Sequence, residues 1–174
     1  MKGQRVYYDQ EALKTSAQFR EEYKIRKGVI KAEEMPWEES PHGHIKHVVH
    51  EKMNTAECGL DAYIQIIPPG GRSGKRRQLA EELFYVLEGK GYDLHWDLEF
   101  DCKETFLWDW AEEPKKFEWE EGDFVYIPPY TMNQHFNADP EKPARIISAS
   151  SRVVRHLGFD WVEQVEPAPD YKPD

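Results

Sequence analysis

The sequence predicts an all-β protein, a barrel or two packed sheets, preceded by a helical arm. The chain has 174 residues, enough for one domain with a real core. Aromatic residues make up 13% of it, which favours strands. From Ile45 onward apolar and polar residues alternate with a period of two, and Gly or Pro interrupts the pattern at short intervals. Short strands at such spacing are typical of a sandwich or barrel, and no alternation of helices and strands indicates a parallel sheet.

The first element is a helix expected over residues 9–27. Asp9 is a suitable N-cap, Gly28 stops the helix, and Leu13 and Ala17 begin an imperfect apolar stripe. We expect residues 1–59 to form an N-terminal arm and the first strands, which pack on the barrel.

The barrel itself is expected over residues 60–155, followed by a C-terminal tail over 156–174 that is loose from Glu166 to Asp174. The alternating segments predict strands at 47–51, 60–67, 82–88, 92–98, 105–110, 116–119, 123–127, 134–138 and 145–150.

Two segments resemble the paired motifs of the cupin superfamily. In the first, Glu82 is followed after six residues by Gly89, in the wording Glu-Leu-Phe-Tyr-Val-Leu-Glu-Gly. In the second, Gly122, Pro128 and Asn137 stand at the motif's spacing. The resemblance implies a jelly-roll barrel (a double-stranded β-helix). It also implies a homodimer whose arm packs outside or swaps between subunits, and a metal among three His and one Glu.

The positions of the three His ligands hold other residues here. They fall on Arg76, Gln78 and Asn133, and Tyr130 replaces a motif Gly. Arg cannot ligate a metal because its guanidinium is a permanent cation with donors only. In an extended strand residues 76, 78 and 82 share a face, so Arg76 can lie beside Glu82 and supply the charge that a metal otherwise gives. Such a buried pair requires further hydrogen bonds.

The first functional hypothesis is therefore a small-molecule-binding cupin that has lost most metal ligands and needs no cofactor. Its pocket suits a small anionic or aromatic ligand. Arg76 supplies charge, and Gln78, Asn133 and Tyr130 line the site. Glu82 and His135 are the candidate catalytic pair, since a desolvated Glu beside a His can transfer protons; the direction of its pKa shift depends on whether Arg76 reaches it.

Two alternatives remain open. One is a cupin enzyme, of the oxygenase, isomerase or decarboxylase kind, with a divalent metal (iron, manganese, nickel, copper or zinc) held at a shifted site by Glu82, His135 and a third group such as His95. The other is a non-catalytic oligomeric structural or regulatory protein. Its working surface is the Trp-rich segment 90–121, which contains Trp96, Trp108, Trp110 and Trp119.

Other histidines are weaker candidates for a metal site. His95 and Asp97 share a strand face and are one possible cluster. Another set (His42, His44, His47 and His50) has zinc-like spacing but lies in a Gly/Pro region without Cys, so exposed or core-edge positions are expected.

Composition excludes several partners. The formal net charge is -10, and the only basic cluster is Lys75-Arg76-Arg77, which argues against nucleic acid. No apolar run approaches the roughly 20 residues of a membrane span and no signal peptide follows Met1, so a cytoplasmic protein without membrane partners is expected. Cys58 and Cys102 lack metal or redox spacing and are expected to be reduced.

Overall fold

The computed structural model describes residues 16–50, 53–55, 59–102, 106–159 and 161–173. Helix α1 spans Ser16–Lys24, and a single 3₁₀ turn follows at Ala32–Glu34. The predicted helix over 9–27 is thus confirmed in part: its first seven residues lie outside the described residues, and it ends earlier. Its last turn closes where Arg26 N–H donates to the Tyr23 carbonyl, and Lys27 N–H donates to Asn54 instead of continuing the helix.

Two antiparallel sheets form the body. The first contains, in spatial order, β1 (Trp37–Ser40), β2 (Gly43–Val49), β3 (Leu60–Ile67), β12 (Ala144–Ser151), β5 (Glu82–Glu88) and β10 (Phe124–Ile127). The second contains β13 (Val162–Glu166), β4 (Lys75–Gln78), β11 (Met132–Asn137), β6 (Lys90–Trp96) and β9 (Lys115–Glu120). A separate hairpin pairs β7 (Leu98–Cys102) with β8 (Phe106–Trp110), and a short helix, α2 (Val153–His156), precedes β13. The predicted jelly-roll class is confirmed.

Strand β5 shows how the sequence specifies the sandwich. Glu82, Phe84 and Val86 are buried, while Leu83 and Leu87 between them are exposed. The alternation of side chains across a strand sends one set into the interior and the other outward. Gly89 ends this strand, and Gly122 begins the second motif. Their φ angles are positive, 94° and 96°, which glycine adopts without strain.

The interior is apolar in one part and polar in another. The apolar core consists of Ile67, Phe84, Val86, Trp119, Ile127, Ala144 and Ile146. Trp119 is therefore a core residue rather than part of a surface. The side chain of Trp108 lies outside the described residues, as do Cys58 and the side chain of Cys102.

The C-terminal segment lies against the barrel, and the looseness expected from Glu166 onward stays a prediction. Strand β13 pairs with β4, and Ala168 is buried with its N–H donating to the Pro41 carbonyl at 2.7 Å. The sequence did not predict β13 because backbone pairing holds it, and this requires no apolar alternation.

The basic cluster on β4 does not form a basic surface. Lys75 lies over the Trp96 ring at 3.9 Å, Arg76 pairs with Glu82 at 2.6 Å and Arg77 pairs with Glu163 at 2.6 Å. No helix among the described residues is long and apolar enough to cross a membrane.

Candidate functional site

The two motif strands place Arg76 and Glu82 against each other inside the barrel. Glu82 begins β5 in one sheet, and Arg76 lies on β4 in the other. Arg76 Nη2 donates to Glu82 Oε1 at 2.8 Å and to Oε2 at 2.6 Å, and the Glu82 side chain is fully buried. Arg76 thus lies beside Glu82, as the alternation of side chains along an extended strand predicts.

Three further side chains complete the hydrogen bonds of this carboxylate. The Tyr63 hydroxyl donates to Oε1 at 2.9 Å, Gln78 Nε2 donates to Oε2 at 3.2 Å, and the Ser148 hydroxyl also donates to Oε1. Arg76 in turn donates to the Tyr63 oxygen at 2.6 Å. The buried ion pair is thus stabilised by the additional bonds that such pairs require.

These contacts set the protonation of the group. Burial alone raises the pKa of Glu82, but the charge of Arg76, the proximity of His135 and the hydroxyl bonds outweigh it, and the pKa lies below its ordinary value. Burial lowers the pKa of Arg76, and the charge of Glu82 outweighs it and raises it. Glu82 is therefore a carboxylate at neutral pH, which does not suit the predicted role of a proton-transferring acid.

The metal that the cupin resemblance implies does not fit this position. Arg76 occupies one ligand position with a cation, and Glu82 already accepts from four side chains. No group of three or more His, Cys, Asp or Glu able to hold a metal ion occurs among the described residues.

A second buried cluster surrounds Asp93. His135 Nδ1 lies 2.9 Å from Asp93 Oδ2, Trp119 Nε1 donates to Oδ1 at 3.0 Å, and His95 Nε2 lies 3.3 Å from Oδ2. Burial raises the pKa of Asp93, and the charge and hydrogen bonds of the two histidines outweigh it and lower it. His135 is thus oriented by a carboxylate, and its Nε2 is left toward the interior.

His42 meets His135 inside the barrel, which the sequence did not predict. Their ring centroids are 5.4 Å apart at an interplanar angle of 77°, and His42 is 4% exposed. Burial, followed by the charge of Arg76, holds the pKa of His42 well below its ordinary value, so the ring is neutral. The only signal in the sequence is the turn Pro41-His42-Gly43, where Gly43 has a φ of 130°.

Other histidines of the predicted set lie outside the barrel interior. His44 stacks on Trp37 at 4.4 Å and pairs with Glu39, and His47 Nε2 lies 2.5 Å from Glu38. These are surface or edge contacts, as expected for this set, and His42 is the exception.

No direct hydrogen bond joins His95 and Asp97, the two residues that the sequence offered as a possible metal cluster. Asp97 instead pairs with Lys115 at 2.9 Å and accepts from the Thr131 hydroxyl at 3.0 Å, while His95 contacts Asp93.

Asn133 and Tyr130 occupy different surroundings from Glu82. Asn133 is fully buried on β11 and donates to the Thr131 carbonyl at 3.3 Å. Tyr130 has a positive φ of 66° at the motif's glycine position, its N–H donates to the Gln78 carbonyl, and its ring lies 5.6 Å from Trp161. Their predicted binding roles remain predictions.

A cavity of about 310 Å³ lies beside Gln78. Gln78 belongs both to its wall and to the Glu82 hydrogen bonds, so it joins the two. The other lining residues are Asp61, Ala80, Ser150, Ser151, Arg152, Val154, Phe159, Trp161 and Val162.

No protein-family model matches the sequence. No curated protein matches it either. Solved structures share its fold. Their sequence identities are so low that the likeness concerns the fold alone.

Three of them illustrate this. Oxalate decarboxylase of Lactobacillus farciminis, in a formate complex, has a TM-score of 0.62 and 15% identity, over 81% of this chain and 36% of that chain. A mutant salicylate 1,2-dioxygenase of Pseudoaminobacter salicylatoxidans, in complex with gentisate, has 0.54 and 14%, over 78% and 31%. A cupin-like protein of Thermotoga maritima has 0.50 and 19%, over 71% and 76%.

The chain spans about a third of the length of the decarboxylase and the dioxygenase. The strand order and the positive φ angles of the two motif glycines agree with the fold of these neighbours. The chain therefore shares the fold of these structures, one of which is a cupin-like protein.

Proposed function

We propose that this chain is a small-molecule-binding protein of cupin fold whose ligand occupies the cavity beside Gln78. The main support for this proposal is the position of that cavity. Its wall includes Gln78, a predicted binding residue that also donates to Glu82. A ligand polar group at Gln78 competes with Glu82 for its amide, so occupancy of the cavity is coupled to the ion pair inside.

The inner polar residues are poor candidates for direct ligand contact. Glu82 is 1% exposed, and Asn133 and His135 are fully buried. Small-molecule sites are concave and mostly apolar, with a few polar groups that fix orientation. The cavity at Gln78 is concave and is lined by five apolar and five polar or charged residues, whereas the interior is filled by its own side chains.

The lining favours an aromatic ligand. Phe159 and Trp161 are 58% and 40% exposed and provide flat apolar surface, while Ser150 and Ser151 offer hydroxyls. The charges of the wall are already used, because Arg152 pairs with Asp61 at 2.7 Å. A small planar molecule with polar substituents matches this set.

An anionic group of the ligand is not expected to reach Arg76. Arg76 was to meet the anion, but its Nη2 is bound to Glu82 and Tyr63. Its charge therefore neutralises the protein's own carboxylate.

The alternative of a metal enzyme at Glu82, His135 and His95 is also weakened. Glu82 accepts from four side chains, and His95 Nε2 faces Asp93. That ligand set requires two of its three members to leave their present partners.

Calorimetric titration with salicylate and gentisate tests the proposal. These aromatic acids are chosen because a structural neighbour is a salicylate dioxygenase bound to gentisate. We expect one of them to bind, and Ala80→Phe, which fills the cavity wall, to weaken binding at least about tenfold through steric exclusion. Val165→Phe is the matched control, since Val165 is an exposed residue of β13 that does not line the cavity; its affinity should stay at the wild-type value.

Two outcomes contradict the proposal. Equal binding in the Ala80→Phe variant places the ligand elsewhere. Binding of oxalate or formate without either aromatic acid contradicts the aromatic class, and absence of all four favours the structural or regulatory alternative.

A further inference from the structure

The barrel interior contains imidazole nitrogens that have no hydrogen-bond partner. Across the part of the chain that the structure describes, both ring nitrogens of His42 and Nε2 of His135 are buried and unpartnered. Buried polar side-chain atoms are normally satisfied, so each exception calls for a physical cause.

The His135 ring is held by a carboxylate, and the backbone of His42 is held by two hydrogen bonds. Asp93 accepts from His135 Nδ1 at 2.9 Å, which leaves Nε2 as the nitrogen with the free lone pair. The His42 carbonyl accepts from Gln65 Nε2 at 2.8 Å and from Gly74 N–H at 3.0 Å. The two rings lie edge to face, with centroids 5.4 Å apart and an interplanar angle of 77°.

The space at these nitrogens is too small for water. Each of them exposes less than 1 Å². A hydrogen-bonded water requires a separation of about 2.7–3.2 Å, whereas a transition metal lies only about 2.0–2.1 Å from an imidazole nitrogen. The shorter bond is the reason to consider a metal ion, rather than a water molecule, at these nitrogens.

From this geometry we propose that His42 and His135 form a two-histidine site for one late transition-metal ion, zinc or copper. Imidazole is a preferred ligand of both. A carboxylate behind a ligating histidine, as Asp93 lies behind His135, is the usual support of such a ligand. Gln65 Oε1 is also buried and unpartnered, and it is the candidate third ligand.

This site is separate from the position that the cupin motifs imply, because it uses none of residues 76, 78, 82 and 133. It is also separate from the cavity at Gln78, so the proposed function can fail while the metal site stands, and the reverse.

Zinc loading of the untagged protein, purified without chelators, tests the inference. After incubation with Zn²⁺ and dialysis, elemental analysis should find about one ion per wild-type chain. His42→Gln and His135→Gln should each weaken zinc binding more than about 100-fold, since losing a ligand costs more than losing its support.

Two matched controls use histidines that already have partners. His44→Gln removes a ring that pairs with Glu39, and His95→Gln removes one that faces Asp93. Both variants should retain the ion. Loss of zinc from all four variants alike points to disruption of the fold rather than to a site and overturns the assignment.

A measurement on the wild type avoids dependence on variants that fail to fold. X-ray absorption at the zinc edge should show two imidazole ligands. A wild-type protein that holds no zinc or copper, or a bound ion with one imidazole or none, overturns the inference. Repeating the loading with copper separates absence of a site from preference for the other ion.

Discussion

Glu82 is ionised inside the barrel because Arg76 and three neutral side chains donate to it. Replacing it by Gln leaves the guanidinium of Arg76 buried without a countercharge. We expect Glu82→Gln to lower the free energy of unfolding by about 3–5 kcal/mol, as measured by urea denaturation.

An exposed ion pair supplies the control. Lys116 and Glu118 lie 2.7 Å apart on the surface, where water screens their charges. Glu118→Gln should leave the midpoint of the urea transition nearly unchanged. A Glu82→Gln variant as stable as this control contradicts the energetic role of the pair. Adding Arg76→Met to Glu82→Gln should recover part of the loss, because the uncompensated charge is then gone.

The buried carboxylates also fix the response to acid. The pKa values of Glu82 and Asp93 are lowered in the folded state, from ordinary values of about 4.3 and 3.9. The unfolded chain therefore takes up protons first as the pH falls. The stability that these groups give is fully present above about pH 5 and is lost as the pH falls through their folded pKa values.

Urea denaturation at pH 7, 5, 4 and 3 measures this dependence. The free energy of unfolding should fall steadily below pH 5. An unfolding free energy that stays constant or rises between pH 5 and pH 3 is incompatible with lowered pKa values.

Spacing predicted some of these contacts and was silent on others. Alternation along an extended strand placed Arg76 on the face of Glu82. The same alternation placed Asp97 on the face of His95, but Asp97 pairs with Lys115 of β9 and His95 lies against Asp93. His42 was not predicted, since its inward direction depends on a glycine turn rather than on a period.

At the scale of elements, β6 leaves no room for a side chain at Gly91, where it pairs with β11. A Cβ there would lie 2.0 Å from the Phe136 carbonyl oxygen and 2.4 Å from the Trp119 ring. Backbone cannot move aside easily, so Gly91→Ala should destabilise the protein by at least about 2 kcal/mol and lower its Tm by about 4–8 °C in a thermal melt.

Gly59→Ala is the matched change, because no atom of the described residues lies within 4 Å of a Cβ built at that position. Its Tm should stay close to that of the wild type. If both alanine variants melt together, the close approach at Gly91 does not restrict side chains as the structure indicates.

The strands that the sequence predicted best are those buried on one face. β3 and β5 have the predicted bounds, because their apolar side chains alternate throughout. β1 and β13 carry mostly charged or exposed side chains and are held by backbone pairing, which leaves little trace in hydrophobicity.

At the scale of the whole molecule, β10 is an edge strand of the larger sheet with large apolar side chains facing outward. Phe124 and Tyr126 are 67% and 52% exposed, and Leu83 and Leu87 continue the patch on β5. An apolar edge invites pairing with another chain. We therefore expect the predicted homodimer to form through this face, and Phe124→Asp to yield a monomer in light scattering after size exclusion.

Val29→Asp provides the comparison, since Val29 is exposed but lies outside both sheets. It should remain dimeric. A wild-type protein that is monomeric at all concentrations, or a Phe124→Asp variant that is dimeric, argues against this interface.

The position of β13 has a consequence for the time course of biosynthesis. Arg77 on β4 meets Glu163 on β13 across 86 positions of the chain, and Phe159, Trp161 and Val162 wall the ligand cavity. At about 5–20 residues per second, a ribosome takes about 4–17 s to travel between the two strands. During that interval the edge of β4 is uncovered and the cavity does not exist. A nascent chain can therefore form the ion pair between Arg76 and Glu82 before it can bind a ligand in the cavity at Gln78.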